Sequence, residues 1–373
     1  MKNNKNILKQ PTVYSDLSLV IPTFNEAKNI VPLVRQLDSC LKDVAYEVIF
    51  IDDSSDNTIE KIIEVSKKNK HIFFEHRDNQ RGLASAVIRG IELAHSEFIA
   101  VMDADMQHPP SLIKEMLKEE IKNHSDIIIP SRFIPGGDDG GLSLSRKLVS
   151  FVARWIARIL FQSVRKVSDP TSGIFMFKKS IIKNKTLQPV GWKILIEILV
   201  IGEYKDITEI PYKFQPRRHG ESKMSFKQQI NYLTHMFSLL YRSPKDRRFF
   251  VFMCVGLSGI AVNLIIYDIL IKIFSVNVLL SGIISASTAV VTNFILNDKY
   301  TWCEQKNDKK HQRLIKYIVV SSLGIAVNAL VLALLFYVFS LNYLLSNIAG
   351  IAISSVMNFK LNDIWTWKYN KSD

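Results

Sequence analysis

The densest chemistry in the sequence lies in Met102-Asp103-Ala104-Asp105-Met106-Gln107-His108-Pro109-Pro110, where two carboxylates one residue apart precede a side-chain amide two residues further on. Carboxylate and amide oxygens suit a small hard cation, Mg2+ or Mn2+, and such a cation screens a diphosphate and helps it depart. The acidic triplet alone would also fit a surface turn. Its setting in the chain decides between the two.

From Leu17 onward, short β-branched runs alternate with amphipathic stretches of helical length. The pattern predicts strands at Leu17–Ile21, Val48–Ile51, Ile72–Glu75, Phe98–Met102 and Ile127–Ile129, with helices at about 27–42, 57–69, 82–95 and 110–122. This alternation implies an α/β domain whose mostly parallel sheet gathers ligands at the carboxyl ends of its strands. The acidic motif follows the fourth of those strands. The first strand ends in Ile21-Pro22-Thr23-Phe24-Asn25-Glu26 and the second in Ile51-Asp52-Asp53-Ser54-Ser55-Asp56. Carboxylates there accept from a nucleobase or a ribose hydroxyl, or cap the next helix. Asp53 is read as a binding residue, Ser55 and Asp56 as caps.

The tail has a different composition. Apolar runs at about 249–271, 276–296, 314–340 and 343–361 each approach the roughly 20 residues that a helix needs to cross a bilayer. Gly259-Ile260-Ala261-Val262-Asn263 recurs as Gly324-Ile325-Ala326-Val327-Asn328, and Asn293-Phe294 to Trp302 recurs in outline as Asn358-Phe359 to Trp367. Both copies lie 65 residues apart (324 − 259, 358 − 293). The tail therefore reads as two repeated helical hairpins in one orientation. Asn263, Asn293, Asn328 and Asn358 then fall at matching depths, as packing contacts between helices or as a polar path for a lipid head group.

The formal net charge of +13 would suit nucleic acid, anionic lipid or a phosphorylated substrate. Its location favours the membrane, because basic residues gather before and between the apolar runs: Arg242, Lys245, Arg247 and Arg248, then Lys299, Lys306, Lys309, Lys310 and Arg313. No nucleic-acid motif is present. The basic flanks and central loop, with short uncharged loops between the spans of each hairpin, predict that both termini face the cytoplasm. Met1 to Asp16 lacks an apolar core of signal-peptide length, which agrees. Cys40, Cys254 and Cys303 have no metal-ligand spacing. Expected boundaries are 1–240 for a cytoplasmic catalytic domain, 241–248 for a linker and 249–373 for a membrane domain.

With these residues assembled, the head resembles the family 2 glycosyltransferases of the GT-A fold, and among them the dolichyl-phosphate mannose synthases and related polyprenyl-phosphate glycosyltransferases. The likeness covers roughly residues 16–240. It rests on Pro22-Thr23-Phe24-Asn25-Glu26, Asp52-Asp53-Ser54-Ser55, Arg81-Gly82-Leu83 with Ala84 to Gly90, Asp103 to Pro109, Ser131-Arg132, Asp169 to Gly173 and Arg217-Arg218-His219-Gly220-Glu221-Ser222-Lys223. The tail resembles the GtrA-like four-helix family, proposed to anchor a partner enzyme or to help lipid-linked sugars move. After Thr171-Ser172-Gly173 the chain departs from the pattern, with Ile174-Phe175-Met176-Phe177 where an aromatic followed by Arg is usual. That loosens any inference about the sugar.

The resemblance implies that Asp103 and Asp105 flank the donor phosphates, with Asp105 and Gln107 as the metal ligands. It also implies that Pro22, Asn25, Glu26 and Asp53 hold the nucleoside. Arg217, Ser222 and Lys223, on a Gly-containing loop after an expected strand at Ile207–Phe214, would close over the diphosphate, or form only a basic loop before the membrane. Arg132, Arg146 and Ser150 look like the acceptor-phosphate clamp, and Glu197 like a sugar contact. Arg146 and Ser150 are four residues apart, on one face of the helical stretch Leu144–Phe161. That stretch and Phe226–Tyr241 are amphipathic enough to lie on a membrane, although a buried core helix would also fit the first.

The implied reaction is inverting transfer of one sugar to dolichyl or polyprenyl phosphate, with Asp103, Asp105, Arg132 and Arg217 carrying it. Mannose from GDP-mannose leads and glucose from UDP-glucose follows. A processive polysaccharide synthase fits less well, because Arg154-Trp155 lacks the Gln of the usual Gln-x-x-Arg-Trp. A glycolipid-moving membrane protein with a regulatory head is the reading from another class.

Overall fold

The structure, a computed structural model, describes residues 16–78, 82–141, 144–191, 193–216, 226–305 and 308–368. Contacts divide the chain into two compact units, Met1–Ser243 and Pro244–Asp373.

In the first unit the elements run β1 (Leu17–Thr23), α1 (Ala27–Cys40), β2 (Tyr46–Asp52), α2 (Thr58–Lys68), β3 (Ile72–His76), α3 (Leu83–Leu93), β4 (Phe98–Val101), α4 (Ser111–Asn123) and β5 (Ile127–Ser131). There follow α5 (Leu144–Leu160), β6 (Phe175–Lys178), α6 (Ile194–Ile201), β7 (Ile207–Pro211) and α7 (Phe226–Arg242). One sheet forms in the order β3-β2-β1-β4-β6-β5-β7. Strands β3, β2, β1 and β4 pair in parallel, as do β5 and β7. Helices cover both faces of such a sheet, so β1 and β2 are buried along their whole length, and their centres, Leu19–Ile21 and Val48–Ile51, read as continuous apolar runs.

The sequence reading missed β6, which runs antiparallel between β4 and β5. Its four residues, Phe-Met-Phe-Lys, are buried on both faces and show no alternation to detect. Its register places Phe175 opposite Val101, so the loop that precedes β6 returns beside the residues that follow β4. That return brings Asp169–Gly173 to the acidic motif.

Helices α5 and α7 each bury one edge and leave an apolar face outside. Ala157 and Phe161 are enclosed while Leu148, Phe151, Trp155 and Ile159 are exposed. On α7, His235, Met236, Leu239 and Leu240 are buried while Ile230, Leu233, Phe237 and Tyr241 are exposed. The Tyr232 hydroxyl donates to the Ala153 carbonyl at 2.6 Å and pins one helix to the other. The expectation that α5 could be a plain core helix is corrected by Trp155, 52% exposed.

Among its described residues the second unit has four helices long and apolar enough to cross a membrane: α8 (Pro244–Lys272), α9 (Val278–Leu296), α10 (Lys310–Ala333) and α11 (Tyr343–Leu361). The repeat extends to its details. Asn277 and Asn342 cap α9 and α11 by accepting from Leu279 and Leu344 N–H, each at 2.9 Å. Both helices end in a π turn, Asn297–Thr301 and Asn362–Thr366, closed by a Thr hydroxyl donating to the Asn side-chain Oδ1 at 2.7 Å. The turns bring Trp302 and Trp367 face to face, ring centres 4.3 Å apart and 4° from parallel. Trp302 Nε1 donates to Asp363 at 2.9 Å, and Trp367 Nε1 to Asp298 at 3.0 Å. Arg248 pairs with Asp363 at 3.2 Å and Arg313 with Asp298 at 2.9 Å. Each hairpin thus completes the other through the same residues, as the two halves of a two-fold dimer do.

Of the membrane asparagines, Asn293 packs against Gly259 and Asn358 against Gly324, each so closely that a Cβ on the glycine would collide with the amide. Asn328 abuts Gly350 in the same way. Their Oδ1 atoms find no hydrogen-bond partner, so the close approach of backbones, rather than amide bonding through oxygen, accounts for these contacts.

Trp302→Ala should remove both the ring stack and the donor to Asp363, at a cost of about 3–5 kcal/mol. Thermal unfolding of the purified protein in detergent measures this as a lower midpoint, and Trp367→Ala should match it. An unchanged midpoint in either would contradict the reciprocal clasp.

Candidate functional site

A cavity of about 1120 Å³ opens at the carboxyl end of β1, β2 and β4, lined among others by Pro22, Glu26, Asp53, Asp103, Asp105, Gln107, Arg132 and Ser150. Eight residues expected from the sequence are therefore together. Its further wall consists of Leu148, Val149, Val152, Ala153 and Ile156 from α5 with Gln228, Gln229, Tyr232 and Leu233 from α7. One end is acidic, the other apolar.

Behind the acidic motif the chain turns sharply, with Met106 at φ 64°. This residue lies in the left-handed region that side chains seldom occupy, a strain of the kind that clusters at functional sites. The turn lets the Gln107 N–H donate to Asp105 Oδ1 at 3.1 Å. Gln107 Nε2 donates to the Gln215 carbonyl at 3.2 Å, which commits the amide nitrogen and turns Oε1 the other way. His108 is buried between Tyr212 and Phe214, and burial pushes its imidazole down to about 4, so it stays neutral. Gly173 passes close above Asp103 and His108, where a Cβ would stand 2.6 Å from the Asp103 carboxylate. A larger residue there would push the Asp103 carboxylate aside.

Arg132, at the end of β5, is gripped by Asp169 in two bonds, Nε at 2.7 Å and Nη2 at 3.0 Å. Burial alone would raise the Asp169 carboxyl, yet the charge and hydrogen bonds of Arg132 hold it below the ordinary carboxylate range. The pair engages Nε and Nη2 of Arg132, which also lines the cavity. The side of the cavity after β2 is built similarly. Asp53 accepts from Arg77 at 2.6 and 2.7 Å and from the Gly82 N–H at 3.1 Å, so it braces the start of α3 as well as lining the cavity.

Two expected residues are engaged within the fold. Asn25, expected on the nucleoside, is an exposed turn residue at φ 57° whose Oδ1 accepts from the Ser55 N–H at 3.0 Å. Glu197, expected on the sugar, is fully buried on the helix that follows Lys193. Burial would raise its carboxyl, but hydrogen bonds from His235, Gln188 N–H and Arg242 hold it below the ordinary range. Arg217, Ser222 and Lys223 lie outside the described residues, as does the side chain of Arg146.

Sequence reasoning passed over Lys193, which lines the cavity just before α6 and donates to the Thr171 carbonyl at 3.0 Å. Burial, and then the neighbouring charge of Arg132, push its ammonium down to about 8, against the opposing pull of Asp169 and Asp103. The signal was a lone lysine ahead of the apolar run Ile194-Leu195-Ile196. A cation there faces the space beside Asp103.

Lys193 is charged below about pH 8 and loses its proton as pH rises through that value. A turnover that uses the charge should therefore fall along an alkaline limb near pH 8. Lys193→Met should lower kcat/KM on the order of 10²-fold and remove the limb. Lys193→Arg, whose guanidinium stays protonated, should carry the limb upward. Steady-state rates across this range check both, and a wild-type profile without the limb would contradict the assignment.

Residues 18–185 match the model of glycosyl transferase family 2, and residues 251–367 that of the GtrA/DPMS transmembrane domain. The dolichol-phosphate mannosyltransferase of Pyrococcus furiosus is 36% identical over 352 residues, covering 94% of this chain and 99% of its own. That of Saccharomyces cerevisiae is 33% identical over 234 residues, 59% of this chain and 85% of its own. Among solved structures, glucosyl-3-phosphoglycerate synthase from Mycobacterium tuberculosis aligns at TM-score 0.47 and 15% identity, over 61% of this chain and 80% of that one. The chain, a membrane protein with an α/β head, belongs to the family 2 glycosyltransferases of the dolichol-phosphate mannosyltransferase kind.

Proposed function

We propose that the protein transfers one mannosyl group from GDP-mannose to dolichyl or another polyprenyl phosphate at the cytoplasmic face of the membrane, inverting the anomeric centre. The observation that carries this reading is the single cavity that joins the Asp103–Gln107 end to the apolar walls of α5 and α7. A charged donor and a greasy acceptor need such a junction. The names of the curated relatives support mannose and a dolichol phosphate acceptor.

Asp105 and Gln107 Oε1, with Asp103 beside them, form an all-oxygen donor set that fits Mg2+ or Mn2+. Among the described residues no three of His, Cys, Asp or Glu converge, so diphosphate oxygens and water would complete the coordination. When bound, the cation would neutralise charge that builds on the departing nucleoside diphosphate.

Pro22, Glu26 and Asp53 would wall the nucleoside, and Arg217, Ser222 and Lys223 would close over the diphosphate. Arg132 Nη1, with Arg146 and Ser150, would aim the acceptor phosphate at the anomeric carbon. A phosphate oxygen is ionised at neutral pH, so the nucleophile needs no base, and positioning and charge dominate. The C–O bond to the donor phosphate breaks as the acceptor oxygen attacks from the opposite side. The outward apolar faces of α5 and α7 suit the plane of a membrane surface, where the lipid phosphate waits.

Purified full-length protein with short polyprenyl phosphate and Mg2+ or Mn2+ should turn over GDP-mannose and neither UDP-glucose nor UDP-N-acetylglucosamine. Asp105→Ala should lose about 10²–10³-fold in kcat, as should chelation of the metal. Preference for UDP-glucose would revise the sugar. Turnover indifferent to lipid phosphate would remove the acceptor reading.

A further inference from the structure

Glu197 is the only charged residue of α6, an otherwise wholly aliphatic helix, and it is fully buried. An isolated carboxylate is costly in such surroundings and persists only where bonds on both oxygens offset its desolvation. Oε1 accepts from the Gln188 N–H at 2.5 Å and from Arg242 Nη1 at 2.8 Å, and Oε2 accepts from His235 Nε2 at 3.0 Å. Arg242 Nη2 donates in turn to the Thr186 carbonyl at 2.6 Å. His235 and Arg242 lie two turns apart on one face of α7. One carboxylate therefore gathers the segment before α6, α6 itself and the carboxyl half of α7.

The opposite half of α7 supplies Gln228, Gln229, Tyr232 and Leu233 to the cavity, while Lys193 and Ile194 enter it from the start of α6. Apolar packing by Met236, Leu239 and Leu240 would hold α7 in place but tolerate rotation and sliding. Directional bonds to a fixed carboxylate do not. We infer that Glu197, His235 and Arg242 form a latch that fixes the rotation of α7, and so the width of the wall past which a polyprenyl phosphate reaches the cavity. Glu197 is a positioning residue, and the inference rests on the acceptor reading given above.

Glu197→Gln keeps the shape and removes the charge, and Arg242→Gln disturbs the latch from its partly exposed end, where misfolding is less of a risk. In full-length protein, both should speed amide hydrogen exchange across α7 by about tenfold or more relative to α3. With whichever donor the wild type uses, both should raise KM for polyprenyl phosphate about tenfold, with kcat and donor KM within about twofold. The double variant should be little worse than Glu197→Gln, because the two groups act as one unit. Unchanged exchange and lipid KM in both variants would overturn the latch, and so would a rise confined to donor KM, the mark of a direct sugar contact. If the wild type transfers to no polyprenyl phosphate, the acceptor reading fails by itself, and α7 exchange alone then decides the latch.

Discussion

The carboxyl edge of the sheet is organised around one buried ion pair, Arg132 with Asp169. Asp169 has no exposed surface, and its backbone N–H and that of Ser168 are in turn held by Glu209 of β7 at 3.1 and 2.9 Å. The pair therefore locks β5, β7 and the loop ahead of β6 into one frame. That loop lays Gly173 over Asp103 and His108, and offers the Thr171 carbonyl to Lys193. Breaking such a pair from one side leaves an uncompensated charge in the interior, typically a loss of about 3–5 kcal/mol. The acidic motif, Arg132 and the buried lysine keep their spacing because one bidentate contact does.

A different economy holds the membrane unit together. Lipid offers helices no hydrophobic gain on association, so contacts must come from close backbone approach and from polar groups that cannot be solvated elsewhere. Gly259 with Asn293 and Gly324 with Asn358 serve the first need within each hairpin. The paired Trp, Asp and Arg residues serve the second between hairpins, where each indole N–H and each guanidinium meets a carboxylate from the other copy. Duplication supplies this symmetry directly, since any self-complementary contact appears twice.

Much of this was legible in the chain because the relevant forces are local or periodic. Parallel strands buried on both faces must be apolar throughout, which exposed β1 and β2, and an acidic motif directly after such a run belongs at the ligand edge. The 65-residue offset marked the hairpins before any contact was known. What escaped depends on partners far along the chain. Glu197 was read by resemblance as a sugar contact, and the groups that neutralise it lie 38 and 45 residues away. The shifted proton affinity of Lys193 arises from the folded surroundings, Arg132 foremost among the charges there. Strand β6 carries no period because both of its faces are covered. Asn25 adopts a left-handed turn, a common use of that residue type.

The central claim is that one cavity joins the acidic donor end to an apolar entrance between α5 and α7. A polyprenyl phosphate carrying a photoreactive group near its phosphate, irradiated on the full-length protein and mapped by peptide mass spectrometry, tests this most directly. The account requires label on α5 or α7 at residues such as Val152, Ile156 or Leu233, displaced by unlabelled polyprenyl phosphate. Label confined to α8–α11, or indifferent to competition, would contradict it.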